Sequence, residues 1–293
     1  MKIFITGGTG YIGKRLIKLL LAISHHEIII LTRGTKKSNQ KRLKYIQGNL
    51  NNIALIKSIF KNFKPQVLIH LAWEGLPDYS IHKCKQNLDY SFNVFYSAAN
   101  SDCKTIISIG SCWEYESRKG KISENDKLNS NTIFSAVKNA IRFIGEAIAN
   151  EYKIEFYWLR LFFVYGPGQR NSSLIPTIIN SVKNGKIPIV NTPKNGNDFI
   201  FVDDVAKAIY SILMTKPDHY IYNIGTGYAT IVEHVVEMIY SLLKIKLDKK
   251  IYENIESQNK QIYYADISKI QKDTNWNPDF DLNKGLQAII FNK

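Results

Sequence analysis

Cysteine is scarce: Cys84, Cys103 and Cys112 are the only three in 293 residues. An odd count without metal-ligand spacing supplies neither a disulfide framework nor a zinc site. The six histidines form no HxxxH or HxH pair, so no metal is expected. No run of about 18 or more apolar residues occurs, and the first residues read as a strand, not as a basic leader before an apolar stretch. The expectation is a cytoplasmic protein with no membrane partner. Acidic residues are in deficit, 25 against 39 basic ones, for a net charge of +14. The lysines are scattered and no basic cluster interleaves with aromatics, so nucleic acid is not an expected partner either. The excess reflects a Lys-, Ile- and Asn-rich composition, although a substrate carrying a diphosphate would suit the same field.

What is present is a large apolar fraction, 45%, in a chain longer than one core usually serves. Short apolar runs at 2–6, 27–31, 66–71, 105–109 and 154–161 read as buried strands. Between them, 11–23, 81–99 and 133–150 carry apolar residues at helical spacing. The alternation predicts an α/β fold, a Rossmann-type doubly wound parallel sheet over residues 1–165. Residues 166–293 are expected to form mainly a smaller substrate lobe, with helical patterns at 174–183, 205–214, 231–243 and 283–290. Strand-like runs at 198–202 and 220–224 suggest that the chain crosses back to the main sheet.

Gly7-Gly8-Thr9-Gly10-Tyr11-Ile12-Gly13 follows the first strand and opens the first helix. Gly7 permits the tight turn, Gly10 lets backbone approach a pyrophosphate, and Gly13 lets helix and strand pack closely. The helix N-terminus adds N–H donors and a positive dipole, so this is a dinucleotide-binding turn. At the end of the second strand, where a carboxylate would accept from the adenosine ribose, stands Thr32-Arg33-Gly34. A guanidinium fork there fits a 2′-phosphate, which favours NADP with NAD as the alternative.

These motifs, with Gly48-Asn49-Leu50, Ile69-His70-Leu71-Ala72, Asn87, Ser108-Ile109-Gly110-Ser111, Leu159-Arg160-Leu161, Val164-Tyr165-Gly166-Pro167-Gly168-Gln169, Asp198 to Ala206 and Trp276-Asn277-Pro278, resemble the extended short-chain dehydrogenase/reductase family over essentially the whole chain. That family comprises nucleotide-sugar epimerases, dehydratases and reductases, and the finer likeness is to the 4-keto reductases of deoxysugar formation. The resemblance implies cofactor contacts at Gly7, Gly10, Tyr11, Ile12, Gly13, Arg33, Asn49, Leu50, Leu71, Ala72, Asn87 and Lys138, a nucleotide-diphosphate-sugar substrate, and a homodimer through the helices at 81–99 and 133–150.

In the family a Ser or Thr polarises the sugar oxygen, a Tyr exchanges its proton, and a Lys four residues after that Tyr lowers the phenol's pKa and bonds the nicotinamide ribose. A phenol needs such a cation to work near neutrality. Ser111 sits four residues before Tyr115 as the pattern asks, and Lys138 ends Phe134-Ser135-Ala136-Val137-Lys138. The tyrosine position is Phe134. Three accounts are open: an engineered substitution, a natural enzyme completing proton transfer through Ser111, a relayed water or the substrate, or a protein that binds without catalysis.

The Asp-Glu pair with which family dehydratases eliminate water is replaced by Cys112-Trp113, which disfavours dehydration; reduction or C4 epimerisation remains, and Arg33 tips the balance to reduction. Candidate substrate residues are Trp73, Ser111, Cys112, Trp113, Phe163, Gln169 and Arg170, with Arg160 as a further cleft position. Phe163 stands where the family has an Asn. Asp203 and Asp204 open a helical run and read as first-turn acids.

Overall fold

The computed structural model describes residues 1–23, 25–247 and 260–291. Strands β1 (Lys2–Thr6), β2 (Glu27–Thr32), β3 (Leu43–Gln47), β4 (Val67–His70) and β5 (Thr105–Ser111) alternate with helices α1 (Tyr11–Ile23), α2 (Ile53–Phe63) and α3 (Ile81–Ala99). They are followed by β6 (Lys119–Ile122), α4 (Ile133–Tyr152), β7 (Glu155–Leu161), β8 (Phe163–Tyr165) and α5 (Leu174–Lys183). The rest comprises β9 (Gly196–Asn197), β10 (Phe199–Phe201), α6 (Val202–Thr215), β11 (Ile221–Ile224), β12 (Thr230–Ile231), α7 (Val232–Leu243), β13 (Ile262–Ala265), α8 (Ser268–Thr274) and α9 (Leu282–Phe291).

A seven-stranded sheet runs in the order β3-β2-β1-β4-β5-β7-β11, and every pairing in it is parallel. This is the expected doubly wound arrangement. Strands covered on both faces must be apolar throughout, which is why Ile28-Ile29-Ile30-Leu31 is buried along its whole length. Leu16, Ile17 and Leu20 of α1 and Ile209 and Ile212 of α6 cover one face. The other face takes Ile56 and Phe60 of α2, Phe95 of α3 and Ile141 of α4. In the edge strand β3 only Leu43 is buried and the other four residues are partly or fully exposed, so it lacks the continuous apolar run that marks its neighbours in the sequence.

The remaining chain builds a lobe around Ile175, Ile178, Phe201, Val235, Ile239 and Leu286. Its sheet order is β12-β9-β13-β6, with β8 and β10 forming a separate parallel pair. Of the two runs expected to return to the main sheet, β11 does so against β7, whereas β10 pairs only with β8. The reason is local: Asp198, directly before β10, is buried and accepts from the backbone of Thr226, Gly227 and Ala265, which ties this strand to the lobe. Asp203 and Asp204 do stand in the first turn of α6, but Asp204 also accepts from the backbone N–H groups of Asp279 and Phe280.

A buried ion pair ties β7 to the turn after β5. Arg160 Nε lies 2.8 Å from Glu114 Oε2, with both side chains out of solvent. Its Nη1 donates to Tyr115 Oη and to the Glu124 carbonyl, and Tyr115 Oη donates in turn to Asn223. Arg160 is thus a structural residue and not the cleft position suggested by resemblance. Removing one partner strands the other charge in a dry interior. Arg160→Met is therefore expected to destabilise the fold by about 3–5 kcal/mol, read from urea denaturation.

Candidate active site

The C-terminal ends of β1, β4 and β5 face one cleft, on either side of the point where the strand order reverses between β1 and β4, the usual ligand position in open parallel sheets. Its first part, about 490 Å³, is lined by Gly7, Gly10, Tyr11, Ile12 and Gly13 from the glycine turn and by Leu71 and Ala72 after β4. Gly7 holds φ +72°, and a Cβ there would sit 2.6 Å from the Ala72 nitrogen. A Cβ at Gly13 would collide with the Gly7 carbonyl, so only glycine lets α1 approach the turn. Asn49, Leu50 and Arg33 line the same cleft, as do Gln169 and Arg170 from the lobe.

Tyr11 Oη, Trp73 Nε1 and Gln169 Oε1 are buried polar atoms without a hydrogen-bond partner among the described residues, and all three residues line this cleft. Orphan donors and acceptors beside a glycine cradle at a helix N-terminus fit a dinucleotide.

Arg33 is 70% exposed, and its guanidinium lies 3.2 Å from Glu74 Oε1. The sequence shows no carboxylate at the end of β2, yet the fold brings one there from the segment after β4. Glu74 is itself placed by Asn87, whose side chain accepts from the Glu74 N–H and donates to its carbonyl. Asn87 lies outside the cleft lining, and its amide bonds this loop and the Lys83 carbonyl.

Continuous with this cleft is a cavity of about 240 Å³ lined by Ser111, Lys138, Trp73, Tyr79, Trp113 and Phe134. Ser111 ends β5. Its N–H donates to Glu114 and its Oγ accepts from the Trp113 N–H, a capping box over a single short turn that leaves the hydroxyl proton free for a ligand. Lys138 is only 8% exposed, and its Nζ donates to the Ile109 carbonyl and sits 4.3 Å from the Trp73 ring centroid. Burial pushes its pKa down to about 8, against the opposing pull of Glu114. Phe134 is packed edge-on between Trp73, Tyr79 and Trp113, with ring centroids 5.1, 4.9 and 5.7 Å away.

Two expected substrate residues point elsewhere. Cys112 is buried with its Sγ 3.9 Å from Tyr263 Oη, and burial raises its thiol pKa to about 12. It is a packing residue because the short turn after β5 directs it into the apolar core beside Tyr263 and away from the cleft. Phe163 packs on Phe199 and Tyr263 in the lobe and does not line the cleft. Conversely, Glu74, Tyr79 and Glu114 belong to the site without having been singled out. Glu114 carries a legible signal, since Ser111-x-x-Glu114 has the capping-box spacing; Glu74 and Tyr79 carry none.

The profile of the NAD dependent epimerase/dehydratase family matches residues 3–225. The chain belongs to this family. Across 98% of its length and 97% of the relative's it is 25% identical to CDP-abequose synthase of Salmonella typhimurium. It is 24% identical to dTDP-glucose 4,6-dehydratase of Haemophilus influenzae, covering 99% of this chain and 97% of that one. Among solved structures it superposes on UDP-glucuronic acid 4-epimerase of Bacillus cereus in complex with UDP-glucuronic acid and NAD, at a TM-score of 0.86 and 20% identity over 99% and 98% of the two chains.

Beneath the cleft, His70 is fully buried between Thr6 Oγ1, 2.7 Å from Nδ1, and Ser91 Oγ, 3.0 Å from Nε2. Ser91 gives its own proton to the Asn87 carbonyl, so Nε2 carries the ring hydrogen and Thr6 donates to Nδ1. Burial, reinforced by the Lys138 charge, lowers the His70 pKa from 6.5 to about 3. The unfolded chain binds a proton below pH 6.5 that the native state refuses, so His70 costs stability as pH falls from about 6.5 towards 3 and none above. Between pH 7 and 5 urea denaturation should register a loss of about 2 kcal/mol from this group, absent in His70→Gln.

Proposed function

We propose that the protein is a nicotinamide-dependent enzyme acting at C4 of a nucleotide-diphosphate sugar, specifically a 4-keto-deoxysugar reductase. The observation that carries this reading is the Ser111–Lys138 cavity, continuous with the glycine-turn cleft and without a carboxylate in its lining. Eliminating water across a sugar needs a placed acid and base beyond the hydride partner, and this cavity offers neither where Cys112 and Trp113 stand. Trp73, Tyr79, Trp113 and Phe134 present apolar ring faces around a single cation, Lys138; an uncharged, deoxygenated sugar suits these rings better than a uronate.

The glycine turn, Tyr11, Asn49, Leu50 and Lys138 would hold the dinucleotide, and a reduced nicotinamide supplies a hydride when bound. Ser111 donates its hydroxyl proton as a hydrogen bond to the ketone oxygen, and Trp113 covers the cavity. Exposed aromatics on the outer faces of α3 (Phe92, Tyr96) and α4 (Phe143) support a homodimer through these helices.

Oxidation of reduced cofactor by nucleotide-diphosphate-4-keto-6-deoxysugars, followed spectrophotometrically, tests the assignment. Restoring the phenol in Phe134→Tyr should raise kcat by about 10- to 100-fold, a share of what a positioned acid contributes; a tyrosine variant no faster than the parent would remove Phe134 from the reacting centre.

For the cofactor, the Arg33–Glu74 contact is an exposed pair worth about 1 kcal/mol or less, which the doubly charged 2′-phosphate of NADPH displaces. Arg33→Ala should therefore weaken NADPH binding about tenfold or more while leaving NADH within about twofold, and Glu74→Gln should strengthen NADPH. A parent chain that instead holds NAD tightly through purification and prefers NADH would favour a C4 epimerase.

A further inference from the structure

The cavity has a phenol, though not at position 134. Of the residues lining it that carry a transferable proton, nearly all are already committed. His70 is neutral with both ring nitrogens engaged, Ser91 donates to the Asn87 carbonyl and Ser108 to the His70 carbonyl, while Lys138 gives one of its three protons to the Ile109 carbonyl and keeps its charge against the Trp73 ring. Ser111 is free, but an aliphatic hydroxyl is a far weaker acid than a phenol and has no base beside it to receive charge. Tyr79 remains. Its hydroxyl has no hydrogen-bond partner among the described residues, and its ring is fixed between Phe134, at 4.9 Å, and Trp113, at 5.6 Å. The backbone around it is held as well: Asp78 accepts from the Ser80 N–H, Ser80 caps α3, and the Tyr79 carbonyl receives the Cys84 thiol. The side chain is half-buried, so its hydroxyl can be resupplied from solvent.

Resting on the reading of the site as a 4-keto reductase, we infer that Tyr79 is the catalytic acid that stands in for the phenol missing at Phe134. The ketone carbon takes up a hydride from a reduced nicotinamide dinucleotide, and the carbonyl π pair moves onto oxygen. That oxygen takes the proton of the Tyr79 hydroxyl, whose O–H bond breaks to leave a phenolate, and water returns the proton. Ser111 holds the ketone oxygen by its hydrogen bond, and the Lys138 cation, buried in the same cavity, favours the negative charge as it forms.

The test uses the full chain, its Tyr79→Phe and Phe134→Tyr variants, and the double variant, with 4-keto-6-deoxysugar nucleotides and reduced cofactor. Tyr79→Phe should lower kcat about 100-fold or more while KM stays within about twofold, and the double variant should recover. Calorimetric affinity for the nucleotide sugar should be unchanged in Tyr79→Phe, because shape is retained and only the proton is lost. The inference is overturned if Tyr79→Phe turns over like the parent. It is also overturned if the loss appears in affinity and KM, or if the parent is inert while Phe134→Tyr is active; the reductase reading survives all three results. If neither the parent nor Phe134→Tyr oxidises cofactor with any such sugar, the reductase reading falls and the inference with it.

Discussion

Glu114 and Arg160 form an ion pair in which each charge depends on the other for its neutralisation, because both side chains are almost wholly out of solvent. Glu114 divides its oxygens between the Ser111 N–H on one side and the Trp158 indole and Arg160 on the other. The same carboxylate therefore fixes the end of β5, orients the hydroxyl that faces the cavity, and opposes the desolvation of Lys138. Arg160 carries the connection onward through Tyr115 to Asn223 on β11, and through the carbonyl of Glu124, whose side chain accepts from the Asn223 N–H. Sheet, Ser111 and Lys138 are thereby held by one electrostatic unit, and the cost of burying it is offset by the hydrogen bonds that both charges make beyond each other.

On that frame the chain arranges a cavity that sets one ammonium among aromatic rings. The Lys138 ammonium is buried and rests over Trp73, and the ring of Phe134 lies in an aromatic enclosure. Replacing O–H by C–H in such packing leaves shape almost untouched and changes only the chemistry, so the fold gives no sign of strain at this position. The acid function has a neighbouring candidate in Tyr79 because the segment after β4 folds over the same cavity. That segment also brings Glu74 to Arg33, so one loop bears on both the proton and the cofactor end of the site.

Much of this was legible in the chain. The glycine spacing at 7–13 required a turn that only glycine can make, since Gly7 has a positive φ and lies against the Ala72 backbone. The buried strands and long helices were visible because residues covered on both faces must be apolar, and helix faces must repeat at their own period. Edge strand β3 and the short lobe strands were not, because half-exposed strands of a few residues leave no such pattern. Cys112 and Phe163 looked like cleft residues by position in a motif, but which side of a turn a side chain faces is set by packing; Cys112 met Tyr263 and Phe163 met Phe199.

The amino-acid sequence by itself determined the glycine cradle, the Ser111 and Lys138 positions and the absence of a hydroxyl on the ring at Phe134, because each is a matter of which atoms a residue carries and of spacing along one element. Tertiary structure alone decided that Glu74 faces Arg33, that Asn87 serves the loop, that Arg160 is spent on Glu114 and that Tyr79 shares a cavity with Lys138. These pairs lie on different strands and loops, and only closing the parallel sheet brings the ends of those strands to one edge.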